Sequence, residues 1–443
     1  MAATIELSLT SPTFRALGPE ARDLLGVVAF FPRGINEDNL DWLFPNVSDQ
    51  ADIFDKLCLL SLTYRGNGFI TMLAPLRNYL CPKDPMLSPL LCTTKERYFS
   101  RLSVNPNPNK PGFGETRWII SEDANVEHLL DVFTTVDTKS NDVWGICGYF
   151  VMHLLWHKPR PVVLGPKIEG LPDDHPLKPW CLLKLSHLVS SLVNHTGKRG
   201  LLIHTLRLWR ERGDDLRAAQ TLRHLSEASR LLRHFEEGVQ QAREALEIFK
   251  RHNDTSRQAK ALCFLAGLWC DEGQFDAAEE AAFQAIGLSD TDYQYRVYEC
   301  HRLLDNVYRA KDEMEKAINH FETALVIASS FDWQSVLFWI HHDLAELFSD
   351  QSRFDDAHAR IGRAKSHAIN DPYFLGRAMG LEAEVWYREG RFEDAKSDAL
   401  RAADVYEKLG ATRDAGDCRT LLRLIEVAIN ESATSHKTPR VSA

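Results

Sequence analysis

From residue 225 onward the apolar positions repeat with a long period. A large residue is followed at once by a small or polar one, usually by an aromatic four positions on, and by small residues at thirteen and about twenty. Leu265-Ala266, Trp269, Ala278, Ala282 and Ala285 give the clearest copy. Leu344-Ala345, Phe348, Ala357, Ile361 and Ala364 repeat it, as do Leu304-Asp305, Tyr308, Ala317, Phe321 and Ala324. Leu225-Ser226, Ser229, Gly238, Ala242 and Ala245 form a copy without the aromatic, and Glu382-Ala383, Trp386, Ala395, Ala399 and Ala402 one with a polar first mark. The copies start at 225, 265, 304, 344 and 382, in steps of 40, 39, 40 and 38. Small residues three and four apart leave one helix face flat, so a second helix can approach closely. Gly, Ser or Asp in the short connections stop one helix and start the next. Each copy predicts a tight helical hairpin.

This pattern resembles the tetratricopeptide repeat over roughly residues 215–412. The family period is 34, so each copy here carries extra residues, as longer helices or as inter-repeat loops such as Arg251–Arg257 and Ser289–Tyr295. The same arithmetic allows a degenerate leading copy over 180–213, with Lys198 where a small residue belongs. A final amphipathic helix over Asp414–Asn430 reads as the cap of the stack, and Glu431–Ala443 as a disordered tail.

The N-terminal pattern is different and does not repeat. Pro19 and Glu20 open a helix that leads into an apolar strip ending at Phe31-Pro32, and Asn36–Phe44 reads as a second helix. Ile53–Leu62 is a third, apolar-faced helix. A hairpin follows around Gly66-Asn67-Gly68, where positive φ is easily adopted, and Ala74–Leu80 is a final short helix. Three helices and a β-wing predict a winged-helix-like unit over 1–105. Residues 106–179 read as a helical connector ending in a stiff elbow, with prolines at 159, 161, 166, 172, 176 and 179. The solenoid then fills 180–430. The expected fold is therefore mainly α, a winged-helix-like unit followed by a tetratricopeptide-type α-solenoid.

Composition narrows the function. With 443 residues, 44% hydrophobic and 26% charged, the chain has an ordinary globular make-up. Its net charge of −10 is shared by both halves, so attraction to nucleic acid or to an anionic membrane is not expected. Lys56 is the only basic residue of the third helix and Arg65 the only one of the wing, which argues for packing rather than DNA contact. No stretch is long enough for a membrane span and the start does not resemble a signal peptide, so a cytoplasmic protein is expected. The nine cysteines form no C-x-x-C pair and read as reduced thiols.

Catalytic constellations are not evident, and no cofactor or metal is expected. Gly197-Lys198 has Leu192 and Arg199 where a P-loop needs glycine and a hydroxyl. Gly112-Phe-Gly114 lacks a third glycine, having Arg117 there, and no G-x-S-x-G occurs. His153 and His157 lie one helical turn apart but lack a third ligand, so a plain surface or core pair is the favoured reading.

The segments A-R-D-L-L-G-V-V-A-F-F-P, L-D-W-L-F, I-F-D-K-L-C-L-L-S-L and T-M-L-A-P-L-R-N-Y-L together resemble the winged-helix region of NB-ARC signalling ATPases of the STAND type. The repeats extend the resemblance to fungal NLR-like proteins that end in tetratricopeptide repeats. In that family a Met-His motif touches the phosphate of ADP. Here Met72 matches the methionine, but Leu73 stands at the histidine and Ala74 beside it. The resemblance implies a receptor part without its nucleotide-binding core, as a C-terminal fragment, a split gene or a product that has lost its motor.

In such a superhelix the first helix of each copy faces the concave side. Positions two before, two after and five after each leading residue give Arg223, Glu227 and Arg230; Cys263, Gly267 and Cys270; Arg302, Asn306 and Arg309; His342, Glu346 and Ser349; and Gly380, Glu384 and Tyr387. The first and third copies carry an arginine excess. Arg302 with Asn306 is similar to part of a clamp for a peptide carboxylate, though solvated helix charges are the commoner explanation of such a pair. A local basic excess between Lys198 and Arg233 reads as an exposed helix face rather than a dock for an acidic partner. The preferred function is a non-enzymatic interaction module, the sensor or scaffold part of an NLR-like protein. It would hold a protein or peptide in the repeat groove and pack on an NB-ARC ATPase in cis or trans. The alternative is a nucleotide-dependent STAND switch in its own right.

Overall fold

The computed structural model describes residues 2–103, 117–157, 160–192, 194–288, 294–330, 333–368, 371–409 and 411–435. They form two compact units, Met1–Leu208 and Trp209–Ala443. The chain is mainly α, as expected.

The first unit begins with α1 (Ala2–Leu9), α2 (Pro12–Arg15) and α3 (Glu20–Phe30). The expected apolar strip is the second half of α3, whose Leu24, Leu25, Val27, Val28, Ala29 and Phe30 are all buried. Packing against α5 (Gln50–Leu59), α6 (Ala74–Leu80) and α7 (Pro89–Ser103) surrounds this helix, so it carries no polar stripe in that half. The expected second helix shrinks to a 3-10 turn and α4 (Leu40–Leu43), preceded by a short strand β1 (Ile35–Asn36). β1 pairs antiparallel with β3 (Phe69–Thr71), which pairs in turn with β2 (Tyr64–Gly66). The β2–β3 hairpin turns through Asn67 and Gly68, both at positive φ, the geometry that suits a two-residue connection. Gly34, just before β1, sits at φ 79°, and a Cβ there would lie 2.0 Å from the Ile70 carbonyl oxygen. Only glycine lets the two strands meet.

The rest of this unit is α8 (Arg117–Val136), α9 (Asn141–His157), α10 (Leu164–Glu169), α11 (Lys178–Ser191) and α12 (His195–Glu211), which crosses the division. The compact units divide at 208/209 rather than at the expected 179/180. The physical reason is that α11 packs on α9 and places Cys181, Leu182, Leu185 and Leu188 in one core with Trp144, Phe150 and Phe31. Gly148 makes this possible, since a Cβ there would lie 2.0 Å from the Trp180 ring. The expected degenerate copy over 180–213 is thus shared between α11, on α9, and α12. Within the proline-rich stretch, residues 160–177 hold the six-residue α10 and turns, and Pro179 sits in the first turn of α11.

A buried carboxylate ties α8 to the front of the unit. Glu122 accepts from Asn39 Nδ2 (2.9 Å), Tyr98 Oη (3.0 Å) and Asn125 Nδ2 (2.8 Å). Asn125 also donates to Gly34 O at 2.8 Å and accepts from the Arg33 amide at 3.1 Å. Burial pushes the Glu122 carboxyl above its ordinary range, against the pull of these donors.

The second unit is built of helix pairs: α13 (Asp215–Leu231) with α14 (Phe235–Arg251), α15 (Thr255–Asp271) with α16 (Phe275–Leu288), and α17 (Gln294–Ala310) with α18 (Met314–Ser330). Next come α19 (Gln334–Asp350) with α20 (Phe354–His367), α21 (Pro372–Glu389) with α22 (Phe392–Leu409), and the closing α23 (Thr412–Ser435). Each helix packs on the next, and each first helix also packs on the first helix of the following pair. This is a tetratricopeptide-type solenoid. The small residues thirteen after each start do what their size allows. Ala278, Ala317, Ala357 and Ala395 are fully buried, and a Cβ on Gly238 would press on Leu268. The turn inside every pair passes through one residue at positive φ, namely Arg233, Gly273, Asp312, Ser352 and Gly390. These lie eight positions after each start, so the repeat is kept in the backbone too.

The extra length of the copies sits in the helices. Only three residues separate α14 from α15, so Arg251–Arg257 is not a loop. Of Ser289–Tyr295, residues 289–293 lie outside the described residues, and α17 begins at Gln294. α23 runs past Asn430 to Ser435, so the first residues of the expected tail are helical, and 436–443 lie outside the described residues.

Candidate interaction face of the repeat array

The positions projected onto the concave side fall into three physical groups. The first group bridges repeats. Arg230 binds Asp271 in the next copy through Nε (2.6 Å) and Nη2 (3.3 Å). Arg309 holds both oxygens of Asp305 in its own helix (2.9 and 3.0 Å) and also bonds Asp350 in the next copy. Arg388 bonds the same Asp350 from the other side and donates to Ser349 Oγ at 3.4 Å. Two arginines of the expected excess, Arg230 and Arg309, are therefore engaged between neighbouring repeats. Asp271 and Asp350 both lie six positions after their copy's start, one place beyond the positions that were projected.

The second group is tied to near neighbours. Arg223 lies 4.9 Å over the Phe264 ring and bonds His224, whose Nδ1 is 3.7 Å from Glu227. Cys263 is buried with its Sγ 2.9 Å from Cys300 Sγ, and a Cβ on Gly267 would lie 3.3 Å from Arg230 Nη1. Burial pushes the Cys270 thiol up. His342 is buried, its Nδ1 3.2 Å from Asp343 and 3.8 Å from Glu346. Tyr387 is half-buried, with its ring 5.7 Å from that of Phe392.

The third group is open. Arg302, Asn306 and Glu384 are exposed and make no hydrogen bond or ion pair among the described residues. Glu384 and Glu346 share two adjoining clefts. One is also lined by Arg309, Ser349, Asp350 and Arg388; the other, of about 480 Å³, by His342, Arg377, Gly380, Tyr406, Asp414 and Asp417. Limited solvation pushes the carboxyls of Glu346 and Glu384 above their ordinary range, with Asp343 adding to the rise of Glu346 and Glu346 to that of Glu384. Burial lifts Asp305 to about 6 despite Arg309. Arg377, Arg388, Asp350 and Asp414 line these clefts and were not among the projected residues, because they lie off the three positions used.

Elsewhere, Met72 is buried, while Leu73 is exposed at the N-cap of α6. The side chain of His157 lies outside the described residues, so its pairing with His153 is not described. Among the described residues no helix is long and apolar enough to cross a membrane.

No family model and no curated protein matches the chain. Solved structures with similar arrangement include a STAND protein with a tetratricopeptide repeat sensor from Pyrococcus horikoshii. It is 14% identical with a TM-score of 0.43, covering 96% of this chain and 69% of that one. A Rap protein complexed with competence and sporulation factor is 14% identical with a TM-score of 0.42, covering 76% and 99%. The apo quorum sensor NprR from B. thuringiensis is 12% identical with a TM-score of 0.41, again covering 76% and 99%. Likeness at this level assigns no family, ligand or partner.

Proposed function

We propose that this chain is a non-enzymatic protein–protein interaction module whose repeat array holds a protein or peptide segment along its concave side. The observation that carries this reading is the open group of Arg302, Asn306 and Glu384. They stay unbonded while the arginines and aspartates around them are engaged between repeats. A ligand that pairs with an exposed arginine and asparagine on one copy and a carboxylate two copies on gains charge-assisted bonds without breaking the bridges that hold the array. In the same reading, residues 1–105 form a winged-helix-like unit that packs on an NB-ARC-type ATPase in cis or trans. The exposed Leu73 offers such an ATPase apolar surface rather than an imidazole.

The test is selection of a displayed peptide library on the full chain, repeated with Arg302→Glu, Asn306→Ala and Glu384→Lys combined. Sequences enriched on the wild type and lost on the triple variant support the concave site. Equal enrichment on both overturns it.

A further inference from the structure

We propose that Cys263 and Cys300 form a modification site, a dithiol that a hydroperoxide converts to a disulfide joining the second and third repeats. α15 and α17, the first helices of those repeats, pack directly on each other. They bring the two sulfurs to 2.9 Å, so the covalent distance of about 2.05 Å needs less than about 1 Å of further approach. All nine cysteines are thiols in this structure. Cys147 and Cys181 are neighbours in the first unit, but Cys181 donates its thiol to the Trp144 carbonyl oxygen, and burial holds both thiols protonated. Cys263 is different in place: it lies at a projected groove position, four residues before Gly267, and retains 8% of its surface in solvent, whereas Cys300 has none. A small oxidant therefore reaches Cys263 first.

The chemistry balances in two steps. The Cys263 thiol loses its proton, and its sulfur attacks the distal oxygen of the hydroperoxide. That oxygen becomes the hydroxyl of a sulfenic acid, and the leaving alkoxide or hydroxide takes up the proton. The Cys300 sulfur then attacks the sulfenic sulfur, the S–S bond forms, and the departing hydroxide leaves as water with the Cys300 proton. Two thiols are oxidised by two electrons and one peroxide bond is reduced. The product ties two first helices together and fixes their spacing along the concave side, whatever that side binds.

The experiment treats the purified full chain with equimolar hydrogen peroxide, followed by alkylation and intact-mass and peptide analysis. Cys263 and Cys270 share the tryptic peptide 261–296, while Cys300 lies on the next one, 297–302. Mapping is therefore repeated in Cys270→Ser. The expected result is a mass lower by two hydrogens, a Cys263–Cys300 linkage, and alkylation of both residues reduced at least about tenfold and restored by dithiothreitol. Cys263→Ser and Cys300→Ser should each abolish the mass loss, with helical content checked by circular dichroism. If either variant fails to fold, the wild-type map alone decides. Full alkylation of Cys300 after oxidation, a Cys263–Cys270 linkage, or a bond found only between molecules would overturn the proposal.

Discussion

The two units reach stability by opposite means. In the second, a buried alanine or glycine and a left-handed turn residue are used five times, and at two joints an arginine reaches the next copy's aspartate. In the first, each key contact occurs once. Gly34 under the Ile70 carbonyl, Gly148 under Trp180 and the three donors on Glu122 are contacts of three different kinds, each joining a different set of elements. Repetition spreads the load, so the loss of one element in the array should cost little, whereas the loss of a unique contact should cost much.

The largest expected effect tests the unique side. Gly34→Ala places a Cβ into the Ile70 carbonyl at a positive φ, and should cost at least about 3 kcal/mol. Proteolysis should then cleave the first unit while the helical array survives. Joint loss of both units would refute the contrast.

Acid should weaken the array through two buried histidines. His301 and His341 are buried in the array, and burial lowers each to about 4; His320 assists at His301, and Arg360, His367 and Arg363 assist at His341. Their stabilisation is complete above about 6.5 and lost as pH falls toward 4, about 3 kcal/mol each. Asp305, raised to about 6, opposes one of them, since its contribution is present below its ordinary 3.8 and lost as pH rises through about 6. These three groups together should cost the array about 3 kcal/mol between pH 7 and pH 4, and the raised Glu346 and Glu384 oppose that loss. The raised Glu122 of the first unit acts in the opposite direction. Urea midpoints at both pH values, with His301→Leu and His341→Leu combined, check this: with Asp305 still raised, the double variant should be no less stable at pH 4 than at pH 7, and an unchanged acid loss would contradict the assignment.

A smaller effect tests the repeated side. Asp312 takes a left-handed backbone that glycine takes at 273 and 390. Asp312→Gly should raise stability by up to about 1 kcal/mol, and Gly390→Ala should lower it by about 1 kcal/mol. Thermal melting decides the sign of each.

The same contrast explains what the sequence made legible. The five hairpins were readable because alanine and aromatic marks recur, and a recurring residue reports its local surroundings each time. β1 was not readable: two residues, Ile35 and Asn36, become a strand only because β3 arrives from more than thirty residues away. Nothing in the sequence marks Glu122, because Asn39 and Tyr98 reach it only in the fold. At the concave side, the first-helix positions were readable, but which arginines stay open was not. Arg309 and Arg302 are both arginines on the same helix, and it is Asp305 beside Arg309 together with Asp350 of the next copy that engages one and leaves the other open.

The central claim is that the first helices of the array form the binding side. It is tested most directly by hydrogen exchange of the full chain with and without a peptide selected on it. The account predicts slowed exchange along α17, α19 and α21, with α18, α20, α22 and residues 2–103 unchanged. Protection confined to the second helices, or to the first unit, would contradict it.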